Sequence, residues 1–290
     1  MAITGTRLHA LLDGYYAALA AGDPGRLPLA ADARFTENGQ ELAIGTGLWA
    51  TATGAADDRA VSVADQSAGQ VAGWGMITEG GPDGGNEALL GVRLRTTGKA
   101  ISEVETLVIR RAPFGRTTFP DGLYQPSPVV PDLLDRAQRG TRDDLAAAAN
   151  HYLDGVSNDD ADLIPAADDC VRIENGLQTV LNPEGAGFPS DLSFVEGLRL
   201  GVRAQVRTRA FRYIESIRDR HCLITDVERG LVLVRCFFDH PGQLRDADFE
   251  SPIPTPNSMM IWELFKLSGG WIRRIEAIGA AFPYGMRANW

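Results

Sequence analysis

The phrase Ala31-Asp32-Ala33-Arg34-Phe35-Thr36-Glu37-Asn38-Gly39 returns, 137 residues later and without a gap, as Asp168-Asp169-Cys170-Val171-Arg172-Ile173-Glu174-Asn175-Gly176. The same spacing pairs Tyr15 with Tyr152, Asp23 with Asp160, Pro28 with Pro165 and Ala30 with Ala167. Farther on, a spacing of 154 aligns Asp65 with Asp219, and one of 171 aligns Gly98, Ile101 and Glu105 with Gly269, Ile272 and Glu276. Solenoid units recur every ~20–50 residues, so a period this long is a whole domain written twice, with longer loops in the second copy.

Outward from the phrase, Leu8, Leu11, Leu12, Tyr15 and Leu19 recur at helical spacing behind Thr6, a capping oxygen, which predicts an amphipathic helix over residues 7–21. A helical turn near Arg26–Ala30 leads to a strand over Ala33–Glu37, closed by the turn former Asn38-Gly39. A short helix is expected at 47–54, followed by strands at 59–67, 69–78, 86–96 and 100–110. In the second copy Thr141 caps a helix over Arg142–Val156. A strand at 169–174, an enlarged loop with a helix near 191–208, and strands at 210–223, 229–238, 257–267 and 271–280 follow. Between the copies, Pro113, Pro120, Pro126, Pro128 and Pro131 stiffen a surface linker, with one helical turn at Pro131–Gln138. Phe114, Phe119, Leu123 and Tyr124 suggest that this linker packs on a domain. The organisation expected is a first domain over 1–111, a linker over 112–141 and a second domain over 142–290. In each, helices come first and a curled antiparallel sheet follows, an α+β order.

Composition bounds the function classes. A net charge of −10 argues against nucleic-acid or anionic-membrane partners. Lysine occurs only at Lys99 and Lys266, an arginine bias that points to a GC-rich, bacterial coding sequence. Cys170, Cys222 and Cys236 fit neither a disulfide framework nor a zinc motif and read as reduced core residues. The start of the chain carries no basic region, apolar run or cleavage site, and no apolar stretch approaches the length needed to span a bilayer. A cytoplasmic location is expected. Glycine-rich phosphate loops, a Gly-x-Ser-x-Gly elbow, histidine pairs at metal spacing and CxxC are absent, so no metal or other cofactor is expected.

The run from Tyr15 through Gly22-Asp23 to Ala31–Asn38 resembles the first helix and first strand of ketosteroid isomerase. The order of elements in both copies resembles the nuclear transport factor 2 (NTF2-like, cystatin-like) fold. That cone-shaped α+β barrel is shared by scytalone dehydratase, limonene epoxide hydrolase and SnoaL-type polyketide cyclases. Two-copy proteins with the Glu-Asn-Gly phrase and a later Phe238-Asp239-His240-Pro241-Gly242 stretch form a group of their own within this resemblance. It implies two tandem cones, packed sheet against sheet as an intrachain pseudo-dimer in a monomer or homodimer, and an apolar pocket that works without a cofactor. It places the isomerase's oxyanion tyrosine at Tyr15 and Tyr152. The isomerase's catalytic aspartate falls on Asn38 and Asn175, whose amides cannot serve as bases, and its second aspartate falls near Leu90 and Ile261.

The candidate catalytic residues are therefore Tyr15, Asn38, Asp65, Glu105, Tyr152, Asn175, Asp219 and His240. Each tyrosine hydroxyl either serves a substrate oxygen or bonds a core carbonyl. Each Asn either orients a water or a carbonyl, with the neighbouring Glu as base, or simply makes its turn while Glu pairs with an Arg. Asp65 and Asp219, on the strand face of Val61, Val63 and Ile217, and Glu105 and Glu276 on the last strand are either general bases or members of an ion-pair ladder with Arg93, Arg95, Arg218 or Arg235. His240 follows Asp239, which could fix its tautomer, and Pro241-Gly242 marks a turn beside it. Trp49, Trp74, Tyr213, Trp262 and Trp271 are candidates to line a pocket. The function expected is a lyase, isomerase or hydrolase acting on a hydrophobic, oxygenated small molecule through a buried carboxylate. The rival is a non-catalytic binding or assembly protein.

Overall fold

Thr4, not Thr6, opens the first helix: its hydroxyl accepts from Arg7 N at 3.3 Å, and α1 runs over Gly5–Ala20. Its buried stripe is Leu8, Leu11, Leu12, Tyr15 and Leu19, with Tyr16 added. The computed structural model describes residues 3–55, 61–80, 85–110, 127, 129–183, 195–287 and 289. The expected linker aromatics, the first residues of the strand expected at 59–67 and residues 191–194 of the expected helix lie outside them.

After a helical turn at Pro24–Arg26 come β1 (Leu29–Glu37), β2 (Gln40–Leu42), β3 (Ala52–Ala55), β4 (Val61–Asp65), β5 (Gln70–Glu79), β6 (Asn86–Thr97) and β7 (Ala100–Arg110). The short helix expected at 47–54 is a single 3₁₀ turn at Gly47–Ala50, cut short because Ala52 pairs with Glu79 as an edge strand. The sheet order is β2-β1-β7-β6-β5-β3, with β4 also on β5. All pairings are antiparallel except β1 with β7, which is parallel.

The second half repeats this plan. A turn at Arg136–Gln138 precedes α2 (Arg142–Ser157), which starts with a reciprocal cap: Asp144 N donates to Thr141 Oγ1 at 3.2 Å, and Thr141 N donates to Asp144 Oδ2 at 2.8 Å. Then come β8 (Ala166–Glu174), β9 (Leu177–Gln178), α3 (Val195–Leu198), α4 (Val202–Arg207), β10 (Ser216–Asp226), β11 (Leu231–His240), β12 (Asn257–Ser268) and β13 (Trp271–Phe282). Its sheet runs β10-β11-β12-β13-β8-β9, with β13 and β8 parallel. Equivalent atoms make equivalent bonds. Asn38 N reaches Thr106 O and Asn175 N reaches Ala277 O, each at 2.9 Å, while Ile101 N reaches Pro28 O and Ile272 N reaches Pro165 O, each at 2.8 Å. Each half is thus an α+β cone, a helix packed on a curved sheet. The chain divides into a first unit, Met1–Pro131 with Arg287–Trp290, and a second, Asp132–Met286.

Two expectations on the second sheet are corrected. Residues 210–215 are not strand: Arg209 is left-handed (φ 58°), and the chain turns through Phe211–Ile214 before β10 begins. The spacing of 154 does not hold either, because Asp65 pairs with Gln70 across its hairpin as Asp226 pairs with Leu231, a spacing of 161. Asp219 is instead a bulge residue with φ 51°, where the β10–β11 register slips.

Candidate functional site

Alternation along a strand assigns its side chains to two faces. In the first unit the face towards α1 carries Val71, Ile77, Ala88, Leu90, Val92, Leu94, Val104 and Val108, and every one of them is buried. Trp49 fills the same core, edge-on to Tyr15 with ring centroids 5.3 Å apart. The Tyr15 hydroxyl, held far above its ordinary value by burial, has the Trp49 indole beside it but no partner in hydrogen-bond geometry among the described residues. At these strand positions the first cone carries apolar side chains throughout, with Ile3, Leu29, Ile44 and Ala55 partly buried against them.

The second cone differs at equivalent positions. Met259 and Ile261 on β12 correspond to Ala88 and Leu90 on β6, yet they are partly exposed, as are Leu181, Phe211 and Tyr213 around them. Beneath them lies a polar cluster. Arg172, where the first copy has Phe35, is 4% exposed. Its Nη1 donates to the Tyr152 hydroxyl at 3.1 Å, its Nη2 to Gln205 Oε1 at 2.9 Å and its Nε to Thr179 Oγ1 at 2.9 Å. Glu174 Oε1 also lies 2.6 Å from Nε. Gln205 on α4 is fixed in turn, its amide donating to Thr179 O at 2.6 Å and Gly197 O at 2.9 Å. The Phe211 ring lies 5.4 Å from the guanidinium carbon.

Glu263, where the first copy has Val92, completes the cluster. It is 3% exposed and hydrogen-bonded to Tyr152, while its Oε2 has no hydrogen-bond partner among the described residues. Burial pushes its carboxyl up to about 8 against the pull of Arg172, so at neutral pH it is mostly protonated. Burial also raises the Tyr152 hydroxyl well above its ordinary value. The Arg172 guanidinium is disfavoured by burial, but Glu174 and Tyr152 more than offset this and keep it charged.

The remaining candidates fall in several places. His240 lies on the helix-facing side of β11, buried, its ring 5.6 Å from that of Tyr213. Its Nδ1 meets Asn257 Oδ1 at 3.0 Å, so Asn257 and not Asp239 orients it. Asp239 points to the opposite face, where Arg218 Nε donates to it at 2.7 Å and the Ser258 hydroxyl at 2.5 Å. Burial lowers the His240 imidazole below its ordinary value, keeping it neutral. Tyr213 is pushed up to about 12 by burial.

Both asparagines take left-handed backbone, φ 52° and 47°, and bond the neighbouring strand. Val108 N donates to Asn38 Oδ1 at 2.8 Å, and Asn175 exchanges two bonds of 2.9 Å with the Gly279 backbone. Asp65 caps its hairpin, accepting from Ala68 N at 3.0 Å and from Ser67 at 2.7 Å. Asp219 is exposed, not on the buried face of Ile217, and sits 2.8 Å from Arg218. Glu105 accepts from Arg93 Nε at 2.8 Å, and Glu276 from Arg274 Nε at 2.6 Å, both on the sheet faces away from the helices. Trp74 and Trp262 are on those same faces, fully buried, and line neither cone; Trp271 is exposed. The structure therefore gathers Tyr152, Tyr213 and His240 around the second cone and disperses the rest.

Arg172, Glu263, Gln205 and Thr179 escaped the sequence reading. The signal was present for two of them: with the copies aligned, charge replaces Phe35 and Val92 at positions that alternation assigns to a core. Cys170 and Cys236 are buried as expected, whereas Cys222 is exposed because it follows the β10 bulge. Among the described residues no group of three or more His, Cys, Asp or Glu could hold a metal ion, and no helix is long and apolar enough to cross a membrane.

Residues 138–279 match the family model described as Domain of unknown function (DUF8021). No curated protein matches the chain. Among solved structures, AclR of Streptomyces galilaeus, a candidate hydroxylase, is 14% identical at TM-score 0.32, covering 37% of this chain and 82% of its own. AusH of Aspergillus nidulans is 12% identical at TM-score 0.31, covering 48% and 86%. A candidate polyketide cyclase of Xanthomonas campestris pv. campestris is 12% identical at TM-score 0.32, covering 47% and 90%.

Proposed function

We propose that the second unit is a cofactor-independent lyase, isomerase or hydrolase acting on a hydrophobic, oxygenated small molecule, of polyketide, terpenoid or aromatic type. The observation that carries this reading is the contrast between two cones of one topology. One carries Phe35 and Val92 where the other buries Arg172 and Glu263 beside Tyr152, with Phe211, Tyr213, Met259 and Ile261 partly exposed around them. Glu263 acts as general base towards a carbon-bound proton or a water. A value near 8 makes it far more basic than an ordinary carboxylate while leaving a usable ionised fraction at neutral pH. Its Oε2, without a hydrogen-bond partner among the described residues, is the atom left to meet that proton. Arg172 and Tyr152 stabilise the oxygen on which negative charge gathers, in surroundings where water does not compete for their donors.

The test is turnover of a panel of apolar hydroxy-ketones, epoxides and alcohols, followed by mass spectrometry of products. Glu263→Gln should lower kcat by roughly 10²–10⁴-fold with the unfolding midpoint held, since that is the range general-base groups supply. Wild-type kcat/KM should rise with pH to a plateau above about 8, and that rise should vanish in the variant. One observation favours a second reading, a non-catalytic binding protein: Arg172 already has four polar partners, as a structural arginine would. Ligand binding without turnover, unchanged by Glu263→Gln, would establish that reading in place of the enzyme.

A further inference from the structure

Three of the four polar partners of Arg172 are neutral, and among the described residues the carboxylate in contact with it is Glu174. The two copies treat this glutamate differently. In the first unit Glu37 is locked: Leu48 N donates to its Oε2 at 2.7 Å, Gly47 is packed against it, and its side chain is only 11% exposed. Among the described residues Glu174 has no such backbone anchor: its side chain is 45% exposed, and the contact it makes there is with the guanidinium. The glutamate end of this pair is half exposed, so its carboxylate returns to water easily, while the buried guanidinium still requires an anion beside it.

Charge decides what can take its place. Arg172 is buried and positive, and the second acid of the cluster, Glu263, is protonated at neutral pH. When Glu174 turns to solvent the guanidinium is left uncompensated, which is costly for a buried charge. A ligand bearing one negative charge restores the balance, and a planar carboxylate also matches the fork of an arginine. The surfaces around the guanidinium are apolar and partly open.

We propose that this chamber binds an apolar monocarboxylate, whose carboxylate displaces Glu174 from Arg172 while its hydrocarbon body lies on Phe211, Tyr213, Met259 and Ile261. The proposal rests on the reading that the second cone receives a small molecule, and it narrows that molecule to an organic acid.

The experiment is calorimetric titration of the full chain at pH 7 with 2-naphthoate and with 2-naphthol, two probes of equal body and different charge. Wild type should bind naphthoate at least tenfold more tightly than naphthol. Glu174→Gln, a change at a half-exposed position, should tighten naphthoate about tenfold further, because the competing carboxylate is gone, and leave naphthol unchanged. Naphthol binding as well as naphthoate, or an unaltered naphthoate affinity in Glu174→Gln, overturns the proposal and leaves the chamber standing. Failure of both probes to bind overturns the chamber itself and this proposal with it.

Discussion

Glu263 is enclosed by Tyr152 and Arg172 and held uncharged at neutral pH, and this ties stability to pH with a definite sign. Between the ordinary carboxylate value of 4.5 and about 8, the folded protein keeps a proton that the unfolded chain has lost. Stability contributed by the neutral carboxyl is therefore complete below that window and declines as pH rises through it. Glu263→Gln cannot ionise. Its unfolding midpoint should fall less than that of wild type between pH 5 and pH 8.5, as read by thermal denaturation at matched ionic strength. Parallel curves for the two proteins would mean that Glu263 ionises freely in the folded state. Arg172 was legible only in hindsight, because a single residue of the repeated phrase gives no sign of whether a charge in a core is an error of register or a designed feature. Glu263, flanked by Trp262 and Leu264, was masked by the apolar strand that carries it.

The hairpins β4–β5 and β10–β11 are the same device made twice. Asp65 and Asp226 each accept a bond from the backbone three residues on, at 3.0 and 3.1 Å, and each turn ends in a left-handed glycine, Gly69 at φ 64° and Gly230 at φ 62°. The carbonyls of these glycines receive Thr96 N at 2.9 Å and Leu267 N at 2.7 Å. Surroundings separate them. A methyl group at Gly69 would meet Thr96 Oγ1 at 3.0 Å and the Thr96 carbonyl at 3.4 Å, whereas at Gly230 it would come within 2.2 Å of the Leu267 carbonyl. Gly69→Ala should cost the left-handed penalty of about 1–2 kcal/mol. Gly230→Ala should add an overpacking cost of roughly 1–3 kcal/mol. Equal losses by chemical denaturation would show that the backbone at 230 yields. Most elements were readable from periodicity and glycine, since α1, α2, β5–β7 and β11–β13 bury one face or both. The stretch at 210–215 was not, because Phe211, Tyr213 and Ile214 look like strand residues locally and are placed as a turn by contacts with the second cone.

At the scale of the molecule, two cones with one strand order have taken different interiors. The first has apolar side chains where the second has the Arg172 and Glu263 cluster, so the chain should bind one equivalent of a small ligand and not two. Calorimetric stoichiometry with any tight ligand checks this, and a value of two would restore the first cone as a site. Two units of one strand order were legible from the repeated phrase, but the difference between their interiors was not, since it rests on which of two equivalent side chains is left partly open. The cysteines carry a practical corollary. Burial raises all three thiols, but Cys170 and Cys236 are enclosed in the core of the second unit while Cys222 is exposed on β10. A maleimide dye added to the native protein will therefore mark one strand of one unit, and the wild-type sequence already serves as a singly labelled reporter for spectroscopy without any residue being replaced.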